Sequence, residues 1–304
     1  MTLTPGTRLG PYEILSSDDV APASVARTRR GPWAAIVFAT AIVAAASVAW
    51  PIDAAQERGA GQLLQLQVGG RTREALVFPP TAKAANGLVP VILAFHGHGG
   101  TMRTSSTGMH FQTAWPEAVV VYPQGLPIKT DIDPQGREPG WDSTETSSIG
   151  AGNRDLPFVD ALLVRLHRDY HVDDARVYAA GFSNGAFFSL MIWTTRGQTF
   201  AAFGIVAGGI RDWTPSIGRP VIYIGGKKDP LVTPDVQHDT IEKIRKFDSA
   251  TGSGEACGAG CTLYRSTTTS PVRVVTHPGG HLFPPLATEA IVTFFKNHAR
   301  QLVQ

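Results

Sequence analysis

Residues 176–193 read RVYAAGFSNGAFFSLMIW. An apolar, strand-like run (176–180) meets Gly181-Phe182-Ser183-Asn184-Gly185, and a helical run follows from Ala186 to Trp193. Strand, tight turn, helix is the setting in which G-x-S-x-G presents a serine hydroxyl at the end of a strand. The turn is so tight that its serine takes unfavourable backbone angles and its flanks must be small. Gly181 and Gly185 supply that room, and the following helix N-terminus favours negative charge near Ser183. The competing reading is an ordinary glycine-rich turn; the strand on one side and the helix on the other favour a nucleophile.

Outward from this turn, short apolar runs recur at 91–95, 119–122, 177–180, 204–207, 221–224 and 272–275, with turn residues between them. Runs without polar alternation fit strands buried on both faces. Between them lie helical patterns. Val159, Leu162, Leu163, Leu166 and Tyr170 fall on one face behind a predicted N-cap at Asp155, and Ile291, Phe294, Phe295 and Leu302 repeat the spacing near the end. Alternating strands and helices predict an α/β fold, a mainly parallel central sheet flanked by helices. Residues 62–68 and 73–78 are predicted to pair as an antiparallel hairpin at one edge.

A serine that attacks a carbonyl needs donors for the oxyanion and a base for its proton. One donor is expected from the Asn184 N–H. The other is expected from the loop His96-Gly97-His98-Gly99-Gly100 after the 91–95 strand: His98 N–H first, Gly99 N–H as fallback. His-x-His there also admits a metal reading, but His110 and Glu117 do not complete a recognised spacing. The base should follow the nucleophile in the chain, which sets aside His167 and His171; His298 is assigned to the last helix. His281 is the candidate, with Gly279-Gly280 freeing its loop, and His277 is the runner-up. The acid should end a strand between them. Asp229, after the 221–224 run, fits that place, with Asp235 second.

The chain has 304 residues and is 43% hydrophobic, which excludes a disordered polypeptide. A net charge of +2 without a basic stripe gives no support to nucleic-acid binding. The first 50 residues differ from the rest. A polar lead ends in Arg27, Arg29 and Arg30, and residues 33–50 carry no charge. About 18 uncharged residues behind arginines read as an export segment. Cleavage after Ser47-Val48-Ala49 would give a secreted or periplasmic protein; retention would leave a membrane tether. Thr28-Arg29-Arg30 gives a weak twin-arginine match. The division is therefore 1–50, leader and export segment, and 51–304, one catalytic domain, expected to be monomeric.

Cys257 and Cys261, with three residues between them, precede His277 and His281 at nearly zinc-finger spacing. Pro278 and two glycines between the histidines cannot hold the helix a finger needs. In an exported chain the two cysteines are expected to form a disulfide, and no metal is expected.

Two resemblances stand out. Residues 4–15, TPGTRLGPYEIL, resemble the lead-in of bacterial serine/threonine protein kinases, but no glycine-rich phosphate loop or D-F-G follows. Residues 172–185, VDDARVYAAGFSNG, closely resemble the nucleophile segment of polyhydroxybutyrate depolymerases and feruloyl esterases of the α/β-hydrolase fold. HisGly (96–97), TyrProGlnGly (122–125), GlyTrp (140–141) and GlyGlyHis (279–281) match similar motifs of that family. The resemblance implies Ser183 as nucleophile, Asp229 as acid and His281 as base, in a serine esterase that needs no cofactor. It departs in three places: Ala186 stands where a glycine is frequent, GlyGlyLysLys replaces HisGly before the acid, and LeuPhePro follows His281. Trp141, Phe182 and Phe283 are the candidates for gripping substrate. The implied activity is polyhydroxybutyrate depolymerase-like. The alternative is a feruloyl or acetylxylan esterase on plant polysaccharide, and behind these stand a serine peptidase and a non-catalytic binding protein of the same fold.

Overall fold

In the computed structural model, residues 61–143, 152–210 and 213–301 are described, with the backbone of two short N-terminal strands. The chain divides into two units, Met1–Ile52 and Asp53–Gln304. In the first, β1 (Arg8–Leu9) and β2 (Tyr12–Glu13) pair antiparallel. The apolar run at 33–50, expected to mark export, lies outside the described residues, as does Leu302. Among the described residues no helix is long and apolar enough to cross a membrane.

The second unit begins with the predicted hairpin, β3 (Gln62–Val68) and β4 (Arg71–Phe78). Then come β5 (Val89–Phe95), α1 (Met102–Met109), α2 (Phe111–Ala114) and β6 (Val119–Pro123). A small pair, β7 (Leu126–Pro127) and β8 (Pro139–Gly140), closes a surface loop. The remainder is α3 (Leu156–Asp169), β9 (Val172–Phe182), α4 (Asn184–Arg196), β10 (Ala202–Val206), β11 (Val221–Gly226) and α5 (Pro234–Phe247), then β12 (Glu255–Gly258), β13 (Cys261–Tyr264), β14 (Val272–His277) and α6 (Ala287–Lys296).

The main sheet runs β12-β13-β14-β11-β10-β9-β5-β6-β4-β3. Its centre, β14 to β6, is parallel, and both margins are antiparallel. Each of the six short apolar runs read from the sequence as strands corresponds to a strand of this sheet. The β12–β13 hairpin at one margin was not anticipated. Its strands are four residues each and only Cys261 among them is buried, so its sequence carries no apolar run. Cys257 and Cys261 close its turn as a disulfide.

Alternation along the strands divides the core into two layers. Val91, Leu93 and Phe95 pack with Phe158, Phe188 and Ile244 of α3, α4 and α5. Ile92 and Ala94 face the other way, with Phe111, Ile291 and Phe295 of α2 and α6. Two-sided burial is why these strands read as continuous apolar runs. The chain leaves β5 toward β6 and leaves β9 toward β10, so β5 and β9 meet at a topological switch point, where such sheets form their crevice.

Asp155 precedes α3 as predicted, but its side chain does not cap the helix. Its carboxylate accepts from the buried Arg73 guanidinium at 2.7 Å and from the Asp142 N–H at 2.8 Å. The Asn153 amide oxygen accepts the Asp155 and Leu156 N–H groups instead, both at 2.9 Å. A charge-assisted bond to a buried arginine outweighs one cap bond. His298, expected within the last helix, lies two residues past the end of α6.

Asp248, just after α5, is 1% exposed. Burial pushes its pKa up to about 8, despite the opposing Arg219 beside it. A carboxyl whose folded pKa is raised makes the native state bind the extra proton, so stability falls as pH rises from the ordinary carboxylate range toward 8. Asp248→Asn should remove that slope. Thermal melts should show little change near pH 4 and a Tm gain of roughly 4 °C or more at pH 8; equal melting at pH 8 would contradict the buried neutral carboxyl.

Candidate active site

Ser183 joins β9 to α4 with φ 51° and ψ −120°, a backbone conformation that costs strain in a residue other than glycine. The neighbouring glycines are required by contact. A Cβ on Gly181 would lie 2.1 Å from the Gly185 carbonyl oxygen, and one on Gly185 would lie 2.3 Å from that of Phe95. The Ser183 N–H donates to the Val206 carbonyl at 2.9 Å, fixing the turn against β10.

The Ser183 Oγ lies 2.8 Å from His281 Nε2, and His281 Nδ1 lies 2.8 Å from Asp229 Oδ2. Asp229 accepts at its other oxygen from the Leu231 and Val232 N–H groups, both at 2.9 Å. A carboxylate can only accept, so the shared proton sits on Nδ1 and Nε2 is left to accept from the serine. Asp229 is buried and His281 nearly so. The two loops are laced together by backbone bonds: Lys227 N–H to the His277 carbonyl at 2.9 Å, and Lys228 N–H to the Gly279 carbonyl at 3.0 Å. Neither runner-up joins this chain. Asp235 is exposed in the first turn of α5. His277 ends β14 and accepts from the Gly279 N–H at 3.2 Å; burial lowers its pKa, with Asp229 opposing.

The loop after β5 lies against Ser183: a Cβ on Gly97 would sit 3.3 Å from the Ser183 Cβ. The Gly99 N–H already donates to the Pro139 carbonyl at 2.8 Å, which removes that fallback donor. His96 and His98 serve different partners. His98 Nε2 is 3.3 Å from the Asp133 carboxylate. His96 is buried; its Nδ1–H donates to the Gly97 carbonyl at 2.7 Å and its Nε2 accepts the Gly125 N–H at 2.9 Å. Burial brings its pKa down to about 4, so it is the neutral ring these bonds require.

Trp141 is not where a substrate could grip it. It is 1% exposed, stacked on Phe188 and edge-on to Phe95, with Nε1–H donating to the His96 carbonyl at 2.9 Å. Its loop position suggested exposure, but the ring turns inward because the aromatic core and that carbonyl offer it a full set of partners. Phe182 and Phe283 are half-buried beside the site. The Phe182 ring lies 5.0 Å from the His281 ring and 6.4 Å from Phe283, which packs edge-on to Phe111.

Two participants had no signal in the sequence. The Asn184 side chain grips the Trp141 backbone from both sides, accepting its N–H at 2.6 Å and donating to its carbonyl at 3.0 Å. Gln237, on α5, fills the space over Gly225, where a Cβ would be 1.9 Å from its amide oxygen. A side chain at Gly225 would therefore collide with Gln237.

No protein-family model matches the sequence. The chain is 26% identical over 234 residues, 74% of its length and 81% of the relative's, to a probable feruloyl esterase C of Aspergillus niger. It is 26% identical over 210 residues, 64% and 71% of the two lengths, to feruloyl esterase C of Emericella nidulans. Among solved structures it resembles acetyl xylan esterase from Aspergillus awamori, with a TM-score of 0.60 at 15% identity, over 78% of this chain and 99% of that one. The fold is that of the α/β-hydrolases. Within that fold the chain's sequence is similar to feruloyl esterases, which are carboxylic ester hydrolases.

Asn184→Ala keeps the backbone N–H but frees the turn after Ser183 from its clamp on Trp141. Hydrolysis of p-nitrophenyl acetate should lose roughly 10-fold or more in kcat with KM little changed. An unchanged kcat would show that the clamp does not act on the serine turn.

Proposed function

We propose that the chain hydrolyses carboxylic esters through a Ser183–His281–Asp229 triad and a covalent acyl-enzyme. The observation that carries this reading is the unbroken line of hydrogen bonds from the Ser183 hydroxyl through His281 to Asp229. The proton on Nδ1 is held by Asp229, so Nε2 takes the serine proton as Oγ attacks the ester carbonyl. Negative charge then develops on the carbonyl oxygen. The Asn184 and His98 N–H groups receive it, at the first turn of α4 and in the loop after β5. His281 returns its proton from Nε2 to the departing alkoxide, leaving the acyl group on Ser183 and a neutral imidazole. A water molecule attacks the acyl-enzyme with His281 as base, and the acid departs as the serine recovers its proton.

For the substrate we take a feruloyl ester, with acetyl esters of polysaccharide second. The named feruloyl esterase relatives favour this over the polyhydroxybutyrate reading suggested by the nucleophile segment. Phe182 and Phe283 flank the triad and are the aromatic surfaces we assign to the ring. We infer that the catalytic unit works outside the cytoplasm. The Cys257–Cys261 disulfide supports this, since such bonds persist in oxidising compartments, and the uncharged run at 33–50 would direct export.

Steady-state kinetics on methyl ferulate, p-nitrophenyl acetate and hydroxybutyrate oligomers test the reading. Methyl ferulate should exceed the oligomers by roughly 10-fold or more in kcat/KM. Ser183→Ala should lower kcat on every ester by about 10⁴ or more. Substantial turnover by Ser183→Ala would overturn the mechanism, and a preference for the oligomers would overturn the substrate assignment.

A further inference from the structure

Asp229 sits on a loop that crosses from the end of β11 to the start of α5. Such a loop needs something to hold it, because the acid's geometry toward His281 is only as exact as the backbone that carries it. Within the loop, the Asp229 N–H makes a 3.3 Å bond to the Gly226 carbonyl, and the Asp229 carboxylate collects the Leu231 and Val232 N–H groups. These bonds wind the loop around the aspartate. The Lys227 and Lys228 N–H groups tie the start of the loop to the His277 and Gly279 carbonyls, but none of these bonds joins its two ends.

Gln237 does. Its Nε2 donates one hydrogen to the Gly226 carbonyl at 3.1 Å and the other to the Val232 carbonyl at 2.7 Å. Gly226 is the last residue of β11, and Val232 directly precedes Thr233, the N-cap of α5. One planar amide therefore bridges the first and last residues of the segment that holds Asp229. The side chain is buried, so both donors are committed and water does not compete. Gln237 is itself anchored in the helix by its N–H to the Thr233 carbonyl at 2.9 Å. Gly225 completes the fit, since any side chain there would strike the amide oxygen.

We infer that Gln237 is a positioning residue, whose two hydrogen bonds set the Asp229 carboxylate at its distance from His281. This rests on the triad reading above. It touches neither substrate nor the reacting atoms. With the bridge removed, the buried Val232 carbonyl loses the Gln237 amide, the Gly226 carbonyl is left with the 3.3 Å bond from the Asp229 N–H, and the loop spreads. Asp229 then orients and charges the imidazole less well, so turnover falls while binding of substrate is spared. A weaker aspartate contact also stabilises imidazolium less, which moves the acid limb of the pH–rate profile to lower pH.

Gln237→Met keeps the length and volume without the donors, and Gln237→Glu keeps the shape but sets a carboxylate against two carbonyl oxygens. The full chain is measured with p-nitrophenyl acetate across pH, and the imidazole N–H proton shared with Asp229 is followed by NMR, assigned by its loss in Asp229→Asn. Gln237→Met should lower kcat about 10- to 100-fold with KM within about two-fold, shift the acid limb downward and displace the shared-proton resonance. Gln237→Glu should not recover wild-type behaviour on any of these readouts. A folded Gln237→Met whose kcat, acid limb and resonance all match the wild type would overturn the assignment. The resonance keeps the two ideas apart. A wild type that shows it but turns over no ester refutes the esterase reading, while the resonance in Gln237→Met still decides for or against the bridge.

Discussion

The structure depends on how closely α4 approaches the ends of β5 and β9. With the Phe95 carbonyl only 2.3 Å from where a Gly185 Cβ would stand, a single added methyl at either glycine of the turn would push the helix off the sheet. That approach forces Ser183 into a strained left-handed backbone and turns its side chain out of the sheet toward the crevice. Because β5 and β9 flank the switch point, the same approach sets the loop after β5 beside the serine. The strain is sustained by the apolar burial of both sheet faces. Phe188 and Trp193 pack from α4 on one side, and Tyr178 and Phe295 stack on the other.

Around the turn, the site is held by amides and rings that touch no reacting atom. Trp141 bonds the His96 carbonyl and is gripped by Asn184, so the end of β5 and the start of α4 share one anchor. His96 reaches across to Gly125, joining that anchor to the segment after β6. Beneath it, Arg73 and Asp155 form a buried ion pair, which also takes the Asp142 N–H next to Trp141. Removing one member of such a pair leaves an uncompensated buried charge, so this support is rigid and intolerant of change. Preorganisation of this kind matters because a donor or base displaced by even 1 Å loses much of its effect on the barrier.

What the sequence made legible followed from patterns with one physical cause. The parallel strands were visible because two-sided burial leaves no polar alternation, and the G-x-S-x-G turn because steric contact demands glycine at both flanks. Asp229 and His281 could be placed by chain order and strand ends; His281 bonds Ser183 through Nε2 and Asp229 through Nδ1. Long-range partners were not legible. Nothing local tells that Asp155 will pair with Arg73, 82 residues away, or that Asn184 will reach Trp141, 43 residues away. Trp141 was misread for the same reason: its neighbours in sequence are loop residues, while its neighbours in space are Phe95 and Phe188. The β12–β13 hairpin escaped because two four-residue strands at a partly buried margin need no apolar run.

In the proposed mechanism one hydroxyl, on Ser183, is made nucleophilic by the line of bonds through His281 to Asp229. A fluorophosphonate forms a covalent phosphonyl adduct only with such an activated hydroxyl, whatever ester the enzyme prefers. Intact-mass analysis of the protein after treatment, followed by peptide mapping, reads the site directly. A single adduct on Ser183, lost in His281→Ala, is the expected result. An unmodified protein, or an adduct on another residue, would contradict it.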